Sequence, residues 1–350
     1  MKKSLVALAV LAASGAAMAQ SSVTLYGVVD TFVGTINKEN LGTAAVPVGQ
    51  SLSQTVLNAG GNNGTRWGLK GAEDLGGGLS AIFQLEAGVN HDVGSAGQGG
   101  LAFGRHAWAG FQGSFGAVRF GRMPTAFDDA QGISDSGWDG TWAAAQNVFR
   151  TVGNGGGVLA ADGAAAVGYT IRSNNTIKFT SNTYSGFAAA VSYALGEDKT
   201  LTTDASSITA VNATYANGPL GVQVAYQVED IVNTVAKPAD QSYARVGANY
   251  TFGNLVAKFT YGKMNNVANV DGGDTTEYHI GADYNLSPAV QLTAGYAKSD
   301  DNAKLGDAKR TAFSVAGKYT LSKTTNIYAA YVNGKQEQAG LKDVTGTSFA

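Results

Sequence analysis

Hydrophobic and polar residues alternate one by one along most of this chain, in runs of about ten residues broken by turns. Over residues 79–87, Leu79, Ala81, Phe83, Leu85 and Ala87 share one face, while Ser80, Gln84 and Glu86 share the other. Leu220, Val222, Val224, Tyr226 and Val228 alternate with Gly221, Gln223 and Gln227. Tyr278, Ile280, Ala282, Tyr284 and Leu286 alternate with Glu277, His279, Asp283 and Asn285. Successive side chains of an extended chain point to opposite faces, so a period of two predicts β-strands with unlike sides. The pattern predicts an all-β chain.

The connections alternate too. Seven are short, near residues 74–78, 113–116, 182–186, 216–219, 252–254, 285–288 and 321–324. Longer polar segments lie at 34–63, 91–100, 198–206, 230–241, 264–276 and 299–310. Short turns at one end of the strands and long loops at the other are the asymmetry of an antiparallel transmembrane β-barrel; a soluble β-sandwich need not sort its loops by length. Seven short turns, with both chain ends on their side, predict sixteen strands. Aromatic residues such as Tyr26, Tyr193, Tyr250, Tyr261, Tyr319 and Tyr331 fall near strand ends, where an interfacial girdle puts amphipathic rings.

The first nineteen residues break the pattern. Lys2 and Lys3, an apolar stretch over residues 5–13 and Ala17-Met18-Ala19 read as a secretory leader ending before Gln20. The chain thus divides into a signal peptide, 1–19, and a barrel domain, 20–350. Of the 24 basic residues two lie in the leader, which leaves 22 against 26 acidic ones and no electrostatic case for nucleic acid. The absence of cysteine removes disulfides, thiolate zinc sites and cysteine nucleophiles together. With 48 glycines, 15 tyrosines, 14 phenylalanines and 5 prolines, the composition favours strands and tight turns. Past the leader no apolar run approaches the length of a membrane helix, whereas a barrel wall averages to near-neutral hydropathy.

Several blocks then resemble the Gram-negative general porins of the neisserial and β-proteobacterial type. They are Ser21-Ser22-Val23-Thr24-Leu25-Tyr26-Gly27-Val28-Val29-Asp30, the block from Thr65-Arg66-Trp67-Gly68-Leu69-Lys70 through Gly71-Ala72-Glu73-Asp74-Leu75-Gly76-Gly77-Gly78-Leu79, Phe115-Gly116-Ala117-Val118-Arg119-Phe120-Gly121-Arg122, and Arg172-Ser173-Asn174-Asn175-Thr176-Ile177. The resemblance implies a sixteen-stranded outer-membrane barrel, assembled as a homotrimer among lipid and lipopolysaccharide, whose third external loop folds into the lumen. One departure stands out. The resemblance implies a complete final strand closing on an aromatic residue, and here Thr345-Gly346-Thr347-Ser348-Phe349-Ala350 matches the beginning of that strand, so either the final strand is cut short, the favoured expectation, or Phe349 stands in for the terminal aromatic.

Residues 123–170 form a segment far longer than a barrel connection requires, which marks it as functional. It carries Asp128, Asp129, Asp135 and Asp139, with Trp138 and Trp142 among them. The resemblance makes it the constriction loop, its aspartates lining one side of the eyelet and its tryptophans anchoring the loop or framing its mouth. The facing wall is expected to be basic. Alternation points Arg66 and Lys70 inward against Trp67 and Leu69, and Arg119 inward between Val118 and Phe120. Arg105 is read on the face of Ala107 and Ala109, opposite Trp108, with Arg122 and Arg172 where the long segment leaves and re-enters the wall. An arginine facing lipid near mid-membrane would cost about 2–4 kcal/mol, which favours lumen positions. The resemblance assigns Arg66, Arg105, Arg122 and Arg172 to a basic ladder along the pore.

Together these features point to a non-enzymatic channel for small hydrophilic solutes and ions, mildly anion-preferring, without cofactor or metal. A substrate-selective channel for one class of anions or sugars, and a barrel serving mainly as a surface antigen or adhesin, are the alternatives. Neither a nucleophile elbow nor a phosphate loop is present, and no two histidines stand at metal-ligand spacing: His279 is read in the lumen and His106 at the bilayer or a subunit contact. Asp271, Asp274 and Glu277 fit no calcium-loop spacing.

Overall fold

The computed structural model describes residues 22–40, 47–138, 140–149, 168–231, 240–267, 270–338 and 340–350. Residues 1–21, which contain the expected leader, and Asp139 lie outside the described residues. The first half contains β1 (Ser22–Val28), β2 (Thr31–Glu39), β3 (Ser51–Ala59), β4 (Arg66–Gly76), β5 (Leu79–Asn90), β6 (Ser95–Ala96), β7 (His106–Gly113), β8 (Gly116–Pro124) and β9 (Arg172–Thr180). The second half contains β10 (Phe187–Leu195), β11 (Ser207–Asn217), β12 (Leu220–Asp230), β13 (Gln241–Phe252), β14 (Leu255–Asn265), β15 (Thr275–Asn285), β16 (Val290–Asp301), β17 (Lys309–Thr320), β18 (Asn326–Glu337) and β19 (Val344–Phe349). They form an antiparallel sheet of 19 strands.

From β7 to β19 each strand pairs with the next, and β19 pairs in turn with β2 of the first hairpin. β2 pairs with β3, β1 with β4, β4 with β5 and β5 with β7. All seven short turns fall where the alternation puts them. At the β4–β5 turn Gly76, Gly77 and Gly78 all take positive φ (83°, 62° and 78°), a run that side chains bearing Cβ would resist.

The two faces of the sheet are inverted relative to a water-soluble protein. On β12, Val224 and Tyr226 are 45% and 46% exposed, while Gln223 and Gln227 are fully buried. On β15, Tyr278 and Ile280 are exposed while Glu277 and His279 are buried. Polar side chains therefore line the covered face, and apolar ones face out.

Of the residues between β8 and β9, the described ones, 125–138, 140–149 and 168–171, cover that polar face. They include two short helices, α1 (Ala126–Asp129) and α2 (Ala144–Val148). Phe127 of α1 sinks among Ala190, Ala210, Ala225, Tyr243 and Tyr169. Trp142, Val148 and Phe149 sink among Ala297, Ala312, Ala330 and Val332. Alanines at inward positions thus leave two recesses on an otherwise polar wall, and the segment fills both with aromatic rings. Between the recesses the segment is held by polar contacts: Gly137 N–H donates to Thr293 Oγ1 (2.9 Å), Thr260 Oγ1 to the Ser134 carbonyl (3.1 Å), and Ser136 Oγ meets His279 Nε2 (2.9 Å).

The first hairpin departs from expectation. Residues 34–63 were expected as an external loop, yet β2 and β3 occupy much of the span. Outward Val33 and Leu57 and inward Phe32, Ile36 and Val56 keep a period of two through a polar background, and the ladder between β2 and β3 satisfies their backbones. The hairpin is instead broken lower down, at Val29 and Asp30 and at residues 60–65.

Burying a large aromatic ring contributes about 1.5–3 kcal/mol, and truncating one in a packed site costs about 3–5 kcal/mol. Phe127→Ala and Trp142→Ala should therefore each loosen one end of the segment. Hydrogen exchange should accelerate across 126–149 and stay unchanged in β11 to β17; uniform protection in both variants would contradict the docking described.

Candidate functional site

A cavity of about 560 Å³ lies between the long segment and the early strands. Arg66 at the start of β4, Arg105 just before β7 and Arg172 at the start of β9 line one side; Asp128, Asp129 and Trp138 line the other. Three strand ends, distant in sequence, thus bring their guanidinium groups to one wall.

Glu86 organises that wall. Buried on β5, its carboxylate accepts from Arg105 Nε at 2.6 Å and from the Tyr26 hydroxyl at 2.8 Å, and Arg66 Nε stands 3.7 Å away. Arg66 also donates through Nη1 to the Gly64 carbonyl (2.9 Å). Opposite, Asp129 pairs with Lys178 Nζ at 2.6 Å, and that ammonium also donates to the Pro124 carbonyl (2.9 Å). Burial pushes the Asp129 carboxyl above the usual carboxylate range, against the pull of Lys178. Asp128 accepts from the Tyr169 hydroxyl. The acidic side is therefore partly neutralised within the protein, and the basic side less so.

Other expected residues lie elsewhere. Lys70 and Arg119 share the polar face but line a separate cavity of about 340 Å³ toward the short turns, with Gln84 and Trp108. Arg119 donates to Thr180 Oγ1 (3.1 Å) and lies 5.1 Å from the Trp108 ring. Trp108 itself corrects the alternation read for β7. Thr24, Lys70, Gln84 and Trp108 form one cross-strand row, so Trp108 faces inward, while Ala107 and Ala109 face out. Arg105 precedes the strand, outside its alternation, and reaches Glu86 from there. His106 is likewise inward, 4.0 Å from Glu86, and not at a bilayer or subunit contact.

Arg122 is displaced further. It continues the outward row Leu25, Leu69, Leu85 and Ala107, and its guanidinium bonds the Gly104 carbonyl and Asn174 Oδ1, both at 2.8 Å. The irregularity between Gly121 and Met123 lies just here, where regular alternation ends. Asp135 does not line the cavity either. It is buried near the opposite wall, its carbonyl accepting from Lys258 Nζ (2.6 Å) and its carboxylate 4.0 Å from His279 Nε2. Trp142 anchors the segment, edge-on to Phe32 with centroids 4.8 Å apart. Trp138 frames the cavity, with Lys318 Nζ 4.4 Å from its ring.

Sequence reading missed several inward cations on the later strands, Arg310 (paired with Asp301 at 2.7 Å) among them. Arg245 donates to the Phe127 carbonyl (2.7 Å), Lys258 pairs with Asp283 (2.7 Å) and Lys318 meets Trp138. The same alternation marks them, since Arg245 lies between Ala244 and Val246 and Lys258 between Ala257 and Phe259. Among the described residues no three His, Asp or Glu side chains are grouped to hold a metal ion.

Comparison with known proteins agrees with this architecture. Outer membrane porin protein 32 of Delftia acidovorans is 37% identical over 343 residues, covering 94% of this chain and 88% of its own. The major outer membrane protein P.IB of Neisseria meningitidis is 28% identical, covering 93% and 91%. Among solved structures, the anion-selective porin from Comamonas acidovorans superposes with a TM-score of 0.76 at 27% identity, covering 94% and 98%. A trimer form of OmpT from Vibrio cholerae shares the fold at a TM-score of 0.62 and 18% identity. The sequence profile of the Gram-negative porins matches residues 4–339, and with the inverted sheet and its covered polar face this places the chain in that family: it is an outer-membrane porin.

Proposed function

We propose that the chain forms a closed sixteen-stranded barrel, assembles as a homotrimer in the outer membrane, and passes small hydrophilic solutes and ions passively with a mild preference for anions. The strand number follows if β1 and β2 count as one interrupted wall strand, β3 and β4 as another, and the two-residue β6 is left aside. Closure is supported by β19, which pairs with β18 on one side and β2 on the other. Residues 1–19 serve as the export signal on this reading. The outward apolar face meets lipid, lipopolysaccharide and neighbouring subunits, with the short turns periplasmic.

The observation that carries the selectivity is the charge balance of the larger cavity. Arg66, Arg105 and Arg172 bring three positive charges to the passage, Glu86 on their own wall and Asp128 across from it bring two negative ones, and Asp129 and Lys178 offset each other. The balance leaves the bore slightly positive. Anions meet an attractive ring, and cations lose little, because the carboxylates across the bore still face them. A unit charge about 4–6 Å away changes an ion's energy by about 1–4 kcal/mol between the dielectric limits of water and a protein surface, before salt screening.

Recording in planar bilayers under a salt gradient tests this. Arg66→Gln with Arg172→Gln should lower the anion-to-cation permeability ratio about 3- to 10-fold, as loss of two salt-screened charges at that distance implies. Asp129→Asn, which leaves Lys178 without its partner, should move the reversal potential the opposite way. An unchanged potential in both would sink the anion reading, and no conductance from the wild-type protein would sink the channel reading.

A further inference from the structure

Asp30 sits where β1 gives way to β2, buried on the inward face. Its carboxylate collects four donors. The backbone N–H groups of Gly61, Asn62 and Asn63 reach it at 3.2, 3.1 and 2.7 Å, and the Tyr328 hydroxyl from β18 at 2.6 Å. Its main chain grips both ends of the same turn: Gly60 N–H and the Thr65 hydroxyl donate to the Asp30 carbonyl (2.8 and 3.1 Å), and Asp30 N–H donates to Thr65 Oγ1 (3.0 Å). Nothing in the channel reading uses this residue.

The turn it holds points inward and touches both sides of the larger cavity. The Gly61 carbonyl accepts from Thr141 N–H (2.9 Å) and the Thr141 hydroxyl (3.0 Å) on the long segment. A Cβ on Gly61 would collide with Trp142 and Tyr328. The Gly64 carbonyl holds Arg66, and Gly60 to Gly64 line the cavity itself. Three successive backbone amides aimed at one carboxylate form a compact anion cradle, here filled by the protein's own side chain. A continuous strand would send these residues up the wall and away from the bore.

We propose that residues 60–65 are a second inward segment of the constriction and that Asp30 is the residue that positions it. This rests on the channel reading of the cavity. The eyelet is then clamped from two directions, by the long segment from the later strands and by this turn from the first hairpin. Asp30 sets its width and the aim of Arg66 without touching a permeating ion.

Single-channel recording of the full, folded protein tests the proposal. Asp30→Asn keeps the side chain's shape but withdraws the charge and one acceptor. It should raise unit conductance roughly 1.2- to 2-fold, add noise to the open current, and shift the reversal potential as Arg66 loses its hold on Gly64. Deleting residues 61–64 should widen the passage as well, and adding Asp30→Asn to that background should then change nothing further. Tyr328→Phe removes one donor and leaves the hairpin intact, so it reads the clasp even if Asp30→Asn does not fold; a smaller shift in the same direction is expected. Wild-type conductance and noise in folded Asp30→Asn, or in Tyr328→Phe if Asp30→Asn does not fold, overturns the proposal, as does an Asp30→Asn effect of full size in the deletion background. A wild-type protein that fails to conduct would instead remove the channel reading beneath it.

Discussion

A strand that faces hydrocarbon has no water to bond its amides, so each backbone donor and acceptor must find a neighbouring strand. That constraint governs the rest of this molecule. It demands antiparallel partners along both edges of nearly every strand, and the ladder runs from the first hairpin to β19 and back to β2. It also frees the side chains. With the backbone satisfied inside the sheet, one face can be all apolar and the other polar, and the residues that build a channel need only alternate.

Where the ladder is interrupted, the freed backbone is used. Residues 60–65 leave the wall and the amides of Gly60 to Asn63 settle on Asp30, so donors freed from the ladder are bonded again and the chain gains an inward turn. The long segment after β8 is held by a different balance, two aromatic anchors with a polar stretch between them. Aromatic burial supplies the affinity, and the hydrogen bonds to Thr293, Thr260 and His279 fix the lateral position. Rigid placement matters because a charge moved by a few ångströms across a narrow bore changes what the bore prefers.

Most of the fold was legible because period two survives in a single sequence. The faces of β5, β12 and β15 followed directly from it, as did the seven short turns. Alternation failed where strands begin or distort. Arg105 reaches the cavity as expected, but from ahead of β7 and not on the face of Ala107 and Ala109, which point outward; Arg122, expected inward where the long segment leaves the wall, falls on the outward row beside a bulge. Trp108 was assigned outward because Arg105, Ala107 and Ala109 were taken as the inward face, whereas the register with Gln84 puts it inward beside Arg119. The clustering of Arg66, Arg105 and Arg172 on one wall was anticipated, but Glu86, which alternation marks only as an inward polar residue, could not be named from sequence as the partner of Arg66 and Arg105. Asp135 was out of reach for another reason: sequence gives no depth within a loop, and only docking decides which carboxylate meets the bore.

The alanine recesses carry a consequence for assembly. One is built by Ala190, Ala210 and Ala225 and the other by Ala297, Ala312 and Ala330, all later in the chain than the segment they receive. Apart from Phe32 of β2, which meets Trp142, residues 126–149 therefore have no complete docking surface until β10 to β18 have paired. The wall matures first and its throat last. Narrowing of the bore is thus a consequence of wall assembly and not a step toward it.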